Sequence, residues 1–343
     1  MHCFAVVRRV QTGAQRGTGR IARASLLRVA GRDVRGACGR IRPFSRRRCV
    51  YTALGNHRAE PVSMKRVAVI GSPEKDSVPE TLERIRAWLR PRAEVVSAEI
   101  TSDVGQALAA EPELLFVLGG DGTLIGAIHG LGRRQLPIVG VNLGKLGFLA
   151  EFSVEQLERD GDFLFERTVP VTRRVLLRVS IRHGDDEPFV TPAVNDCVLL
   201  AGPPYRLIEM VVEADGDTIA RIRGDGLIVA TPSGSTAHNL SAGGPILDPT
   251  ASSFILTPIC PHALTFRPLV MDSSRSITVR APRPNDHTTL AIDGRILRPF
   301  GQGDSVTISR WEADLQLVRN PARSLWYALR RKLMWGRNPK NSH

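Results

Sequence analysis

A regular alternation of short apolar runs and amphipathic segments begins at Arg66 and constrains the fold of this chain more than any other feature. Residues 114–118 are apolar throughout, which is typical of a strand buried on both faces of a parallel sheet. Strands are predicted over 66–70, 93–100, 114–118 and 136–141, and helices over 79–90, 104–110, 122–131 and 154–165. The pattern predicts an α/β domain with a mainly parallel sheet over residues 64–165.

The periodicity changes after about residue 166, where helical patterns become scarce. Short strands are predicted over 175–182, 193–200, 208–214 and 218–223, and Asp215-Gly216-Asp217 is a hairpin signal between the last two. We therefore expect a mainly antiparallel β-sandwich domain over residues 166–300. A C-terminal strand and helix are expected over 301–343, with the helix at 321–335, and this segment is expected to return to the first domain.

The formal net charge of +13 is concentrated at one end of the chain. Residues 1–63 contain fourteen arginines against Asp33 and Glu60, a net charge of +12, so the remaining residues carry only +1. That is too little for a basic face that follows a phosphate backbone, and we expect no nucleic-acid partner. The apolar runs are too short to cross a bilayer, so no membrane role is expected either.

Residues 1–63 form an arginine-rich leader without hydrophobic periodicity. Three interpretations are open: a transit segment, a disordered basic tail, or an upstream translation that is not part of the natural protein. Only Cys197 and Cys260 of the five cysteines lie beyond the leader, and no C-x-x-C spacing occurs. This argues against a disulfide framework or a zinc site and favours a reducing cytoplasm.

The first chemical signal is a Gly-Gly-Asp-Gly-Thr segment at 119–123, between an apolar strand and a helix. Glycines at the carboxyl end of a strand allow close approach of phosphate groups, and the following helix directs free N–H groups at the anion. Asp121 stands inside this turn. It could accept a proton from an attacking hydroxyl, help to hold a metal ion, or simply cap the helix that begins at Gly122.

The second signal is a long polar run at 231–245 that follows a buried strand and the Arg-Gly-Asp-Gly segment at 223–226. Hydroxyls, small residues and one imidazole crowd this run, which suits a surface that contacts a ribose or a polar ring better than it suits a core. The simpler alternative is an ordinary surface loop.

Taken together, these motifs resemble those of the NAD kinase family, which is related to the diacylglycerol-type kinases. The Gly-Gly-Asp-Gly turn, the segment Asn142-Leu143-Gly144-Lys145-Leu146-Gly147-Phe148, the pair Asn195-Asp196 and the block at 225–245 follow each other in the family's order. The resemblance covers about residues 64–335. It implies phosphorylation of the adenosine-side 2′-hydroxyl of NAD to make NADP, with ATP or another phosphoryl donor and with Mg²⁺ delivered by the nucleotide. The alternative is a lipid or diacylglycerol-type kinase, which shares the Gly-Gly-Asp-Gly turn.

Carried over to this chain, the resemblance implies Asp121 as the catalytic proton acceptor. It implies donor-phosphate contacts from Gly119, Gly120, Gly122 and Thr123. It implies NAD contacts from Asp121, Gly122, Asn195, Asp196, Arg206, Arg223, Asp225, Thr236, Ala237, His238, Asn239, Leu240 and Ser241. No dedicated metal ligands are expected, and a homo-oligomer is the family expectation. For Asn195-Asp196 the alternative is a turn at a strand start, and for Arg206 a solvated surface charge.

Two departures from the family pattern stand at His238, where many members have tyrosine, and at Arg295, where some members have a glutamine contact. Their roles are left open. Neither departure changes the residue proposed as the base.

Overall fold

The computed structural model describes residues 64–144, 147–324 and 326–334. The leader at 1–63 lies outside the described residues, so the three interpretations of it remain open. The described residues form three six-stranded sheets, and helices pack on both faces of the first of them.

The first sheet is mainly parallel, as predicted. Its strands, in spatial order, are β2 (Glu94–Ile100), β1 (Arg66–Gly71), β3 (Leu114–Gly119), β4 (Ile138–Asn142), β18 (Leu315–Val318) and β5 (Val171–Arg174). The helices are α1 (Val78–Leu89), α2 (Gly105–Ala109), α3 (Asp121–Leu131) and α4 (Val154–Asp160). Helices α1 and α4 pack on one face of this sheet, and α2 and α3 pack on the other.

The second and third sheets are antiparallel and share one apolar core, so they form a β-sandwich. The second contains β10 (Asp217–Gly224), β9 (Ile208–Ala214), β14 (Ile277–Arg283), β17 (Ser305–Arg310), β6 (Leu177–Arg182) and β7 (Phe189–Ala193). The third contains β13 (Leu269–Asp272), β12 (Ser253–Ile259), β11 (Gly226–Ala230), β8 (Asp196–Leu200), β15 (Thr289–Ile292) and β16 (Ile296–Pro299). The predicted fold class, an α/β domain followed by a β-sandwich, is confirmed.

The predicted strands at 175–182 and 193–200 are β6 and β8, which begin two and three residues later than predicted. The strands that precede them, β5 and β7, were not predicted. The buried Val175 and Leu176 connect β5 in the first sheet to β6 in the second, and residues 194–195 connect β7 in the second sheet to β8 in the third. Hydropathy does not show where the chain passes from one sheet to the next.

Near the C-terminus, β17 joins the sandwich and β18 returns to the first sheet, where it pairs with β4 and β5. The return of the C-terminal segment is therefore confirmed. Among the described residues, the predicted helix at 321–335 is limited to α6 (Tyr327–Lys332). The helix predicted over 154–165 is α-helical to Asp160 and continues as a 3₁₀ turn at Gly161–Phe165. None of the helices in the described ranges is long and apolar enough to cross a membrane.

Candidate functional site

The glycine turn lies at the carboxyl edge of the first sheet, between β3 and α3. Helix α3 begins at Asp121, and Gly120 is its N-cap residue, with its backbone N–H donating to Thr123 Oγ1 over 3.4 Å. A Cβ at Gly119 would overlap the side chain of Thr123. The turn therefore needs glycine for close packing, and its backbone remains accessible from the sheet edge.

Asp121 does not cap its own helix. Its carboxylate accepts hydrogen bonds from three backbone N–H groups in the loop after β4: Phe148 to Oδ2 at 2.8 Å, Leu149 to Oδ1 at 3.0 Å and Ala150 to Oδ1 at 3.3 Å. A Cβ at Gly147 would overlap the same carboxylate. The structure thus joins the Gly-Gly-Asp-Gly motif directly to the Leu-Gly-Phe motif.

Lys75 is a residue at this edge that the sequence analysis missed. Its Nζ lies 3.6 Å from the position of a Cβ on Gly120 and 3.8 Å from that on Gly144, so the ammonium stands between the two glycine loops. It forms no ion pair with the residues described. Its position in the loop after β1 could have indicated this placement, because the loops at the carboxyl ends of parallel strands lie along one edge of the sheet.

The third motif, Asn195-Asp196, packs against the polar run that follows β11. The carbonyl of Asn195 accepts the N–H of Thr231 at 2.8 Å, and a Cβ at Gly234 would overlap the Asn195 backbone. Thr231 Oγ1 donates to the carbonyl of Val194 at 2.6 Å and accepts the N–H of Gly234 at 2.9 Å. Two segments separated by more than thirty residues in sequence are therefore one packed unit.

Asp196 is buried, with only 4% of its surface exposed. Burial, together with the negative charge of Asp293, raises the pKa of its carboxyl to about 7 from an ordinary 3.8. The side chain therefore changes charge in the physiological range, and its carboxyl is a hydrogen-bond donor below about pH 7 and an acceptor only above it.

The remaining residues of the polar run form a 3₁₀ turn at Ser233–Thr236 and the short helix α5 (His238–Ser241). His238 and Ser241 are exposed, whereas Thr236, Ala237 and Leu240 are half-buried. Asn239 is fully buried; its amide donates to the carbonyls of Ser235 and Pro245, and its oxygen accepts from Thr257. Both amide hydrogens of Asn239 are thus used within the protein.

A cavity of about 80 Å³ connects the two halves of the site. On one side it is lined by the loop that Asp121 holds, with Phe148 and Glu151, and on the other by Ser233 and Thr236. Residues from α6 and the segment before it complete the wall, and Lys332 Nζ lies 4.2 Å from the centre of the Phe148 ring. The loop bound to Asp121 and the polar run therefore face the same crevice.

Arg174, at the end of β5, is a second residue that the sequence analysis missed. Its side chain is 5% exposed and Nη2 lies 3.6 Å from Glu151 Oε1. Burial lowers the pKa of the guanidinium, opposed by the negative charges of Glu151, Asp121 and Asp248. Within the described part of the chain, its Nε and the Oγ of Ser233 have no hydrogen-bond partner, although both residues line the cavity. The only feature of the sequence that could have indicated this residue is its place in a short strand, at a position whose side chain is buried.

Three predicted site residues lie elsewhere. In the register of the third sheet, Ala230 pairs with Asp196 at one end of β11 and Gly226 pairs with Leu200 at the other, about 13 Å away over four residue steps. Asp225 is at the far end, where its carbonyl accepts the N–H of Ala201. The exposed Arg206 and Arg223 lie at that end too. A single chain therefore brings together Asp121, Asn195, Asp196 and the polar run, but not Arg206, Arg223 and Asp225.

Comparison with known proteins places this geometry in context. Residues 49–169 match the sequence model of the ATP-NAD kinase N-terminal domain, and residues 194–320 match that of the ATP-NAD kinase C-terminal domain. The chain is 36% identical over 272 residues to the NAD kinase of Rhodopirellula baltica, covering 79% of this chain and 86% of that protein. It is 36% identical over 282 residues to the NAD kinase of Geobacter sulfurreducens, covering 80% of this chain and 99% of that protein.

Solved structures agree. An NAD kinase from Archaeoglobus fulgidus in complex with ATP superposes with a TM-score of 0.62 at 30% identity, covering 75% of this chain and 94% of that one. Yeast NADH kinase complexed with NADH superposes with a TM-score of 0.72 over 80% of this chain and 89% of that one, and at 23% identity this likeness concerns the fold. None of these matches is to a lipid kinase, so the lipid-kinase alternative gains no support.

Proposed function

This chain belongs to the ATP-NAD kinase family, and from that membership we propose that it transfers a phosphoryl group from ATP to the 2′-hydroxyl of the adenosine ribose of NAD, making NADP. The observation that carries the proposal is the crevice in which the loop held by Asp121 faces the run at Ser233 and Thr236. Phosphoryl transfer requires mainly that the acceptor hydroxyl and the terminal phosphate be aligned and that developing charge be neutralised.

Asp121 is proposed to orient the 2′-hydroxyl and to accept its proton. An ionised carboxylate has about four lone-pair positions, and the N–H groups of Phe148, Leu149 and Ala150 occupy three of them. The remaining position is on Oδ2, which accepts one bond where Oδ1 accepts two. One acceptor site is therefore left for one hydroxyl, and the three backbone bonds fix its direction. In a loose transition state the attacking hydroxyl needs little help from a base. A carboxylate that mainly orients the hydroxyl therefore suits this reaction.

The donor phosphates are proposed to bind at Gly119, Gly120, Gly122 and Thr123, where the N-terminus of α3 presents free N–H groups and the positive end of its dipole. The position of the Lys75 ammonium beside Gly120 and Gly144 supports this assignment, because it adds a full positive charge where negative charge develops.

Mg²⁺ is proposed to arrive with the nucleotide. The described residues contain no group of three or more His, Cys, Asp or Glu side chains placed to hold a metal ion, and Mg²⁺ commonly binds through substrate phosphates and water with few protein ligands. When bound, the ion would neutralise charge on the transferring phosphates. The protein's own residues align the two substrates.

The acceptor is proposed to contact Asp121, Gly122, Asn195, Asp196, Thr236, Ala237, His238, Leu240 and Ser241. Asn239 has no exposed surface and donates both of its amide hydrogens within the protein, so its proposed role is to hold the polar run in place. Arg206, Arg223 and Asp225 lie at the opposite end of β11, and we propose that they contact NAD from another copy of the chain. This assignment agrees with the proposed homo-oligomer.

The direct test is purified protein with Mg²⁺, ATP and NAD, followed by an NADP-specific dehydrogenase that reports NADP. Diacylglycerol in mixed micelles, offered with labelled ATP, is the matched acceptor for the alternative. Labelled NADP without labelled lipid is expected, and labelled lipid without NADP would reverse the conclusion. Deletion of residues 1–63 is expected to leave the activity intact. The cytoplasmic location proposed from cysteine usage is testable by cell fractionation.

A further inference from the structure

A hairpin turn that the proposed reaction does not use connects the two halves of the site. It joins β15 to β16 at Asp293-Gly294-Arg295, and Asp293 and Gly294 have φ angles of +51° and +63°. Such left-handed angles are tolerated by aspartate and glycine, so the residue types suit a tight turn. The turn reaches away from its own sheet toward α3.

Asp293 holds the backbone of the Asn195-Asp196 motif. Its Oδ1 accepts the N–H groups of Asn195 at 2.7 Å and Asp196 at 3.0 Å, and its Oδ2 accepts that of Val194 at 2.8 Å. Its own N–H donates to the carbonyl of Asp196 at 2.9 Å. Two of the N–H groups that it binds, those of Val194 and Asn195, lie between β7 and β8, outside the pairing of either strand.

The same turn contacts both ends of α3. In the last turn of the helix, His129 donates from Nε2 to Asp293 Oδ2 over 2.7 Å, and the Asp293 side chain has no exposed surface. At the start of the helix, Arg295 Nη1 donates to the carbonyl of Gly122 at 2.8 Å, next to Asp121. One turn is thus bonded to the helix that carries Asp121 and to the strand start that carries Asn195.

We infer that Asp293 is a positioning residue that sets the placement of Asn195 and Asp196 relative to Asp121, with His129 as its partner on α3. The inference rests on the proposed function. The carboxylate of Asp293 cannot contact a substrate because the side chain is fully buried, so it acts through the residues whose backbone it holds. Apolar packing between the two parts is not directional, whereas four hydrogen bonds at one carboxylate define both distance and angle. Small displacements of such groups are costly for catalysis.

A pH readout separates this role from general stabilisation. The carboxyl of Asp196 has its pKa raised by burial first and by Asp293 second, and the other titratable groups near the pair are His129 from α3 and the buried thiol of Cys197. When the negative charge of Asp293 is removed, only burial still raises the pKa of Asp196. The midpoint of the NAD-affinity profile, expected near pH 7 in the natural protein, should then move to lower pH.

The test compares four variants of the full chain in NADP formation and in NAD binding by calorimetry between pH 5 and 9. For Asp293→Asn we expect KM for NAD to rise about tenfold, kcat to fall less, and the pH midpoint to drop. His129→Leu should raise KM for NAD by about threefold, while His129→Gln, which keeps a donor, should restore most of the affinity. The control is Asp215→Asn, because Asp215 also has a φ of +51° and accepts a backbone N–H, from Ser276, on a different hairpin.

A folded Asp293→Asn protein with unchanged KM and unchanged pH midpoint would overturn the inference. If that variant does not fold, the pair of His129 variants decides: equal KM values for His129→Leu and His129→Gln would overturn it, and a difference in the expected sense would support it. Failure of the natural protein to make NADP is a separate outcome. It would remove the proposed function, and the binding profile would still report whether Asp293 controls the Asn195-Asp196 pair.

Discussion

Replacing Asp121 with asparagine tests the central residue of the proposed reaction. An asparagine side chain offers one oxygen, which can keep the bonds from Leu149 and Ala150, but its NH₂ group then faces the N–H of Phe148. One partly buried donor loses its acceptor, which costs about 1 kcal/mol of unfolding free energy. Because the acceptor site for the hydroxyl is lost as well, kcat should fall by about 10²–10³-fold.

NAD binding should be largely retained in Asp121→Asn, since Asn195, Asp196 and the polar run are unchanged. The assay measures kcat by NADP formation, NAD affinity by calorimetry and stability by urea denaturation. Asp103→Asn is the matched control, because Asp103 also accepts a backbone N–H, from Gly105 at 2.8 Å, in the same domain but beside the edge strand β2. A stable Asp121→Asn protein with near-natural kcat would refute the assignment of Asp121 as orienting group and base.

Three further predictions follow from packing and charge. Gly234→Ala should raise KM for NAD and lower the unfolding free energy by about 1–3 kcal/mol in urea titrations, because the new Cβ overlaps the backbone of Asn195. Arg174→Met should lower the unfolding free energy by about 3–5 kcal/mol, since it leaves Glu151 beside the cavity without its positive partner; an unchanged urea midpoint would contradict this. For Asp196, folding raises the pKa from 3.8 to about 7, so the folded state binds the proton more tightly and stability is lost as pH rises from about 4 to about 7. Urea denaturation over this range should show a loss on the order of 4 kcal/mol that is absent in Asp196→Asn.

The position of the titrating Asp196 has a consequence for the acceptor site. Above about pH 7 its ionised carboxylate can only accept hydrogen bonds, from ribose hydroxyls or amino groups, while below that pH it donates as well. The proton balance of this residue therefore changes which substrate groups it can bind.

Much of the fold and part of the candidate site can be predicted from the order of residues along the chain alone. The all-apolar β3 followed by glycines and a helix start predicts a phosphate-binding edge, because strand end, turn and helix dipole are consecutive in sequence. The change of period near residue 166 predicts the β-sandwich for a similarly local reason. The family could be indicated because its motifs follow each other in the expected order: the glycine turn, Asn195-Asp196 and the run at 231–245.

Only the tertiary structure decided which of these groups meet. The amides that bind Asp121 come 27 to 29 residues later, and the partner of His129 comes 164 residues later. Arg174 has its place in the first sheet because β18 returns from the sandwich and pairs β5 with that sheet. The same topology places Arg206, Arg223 and Asp225 about one strand length from Asn195, although all were expected at one site. Sequence patterns report burial and local conformation, which depend on neighbouring residues. Distances between side chains depend on how strands are ordered and paired, and no local pattern encodes that order.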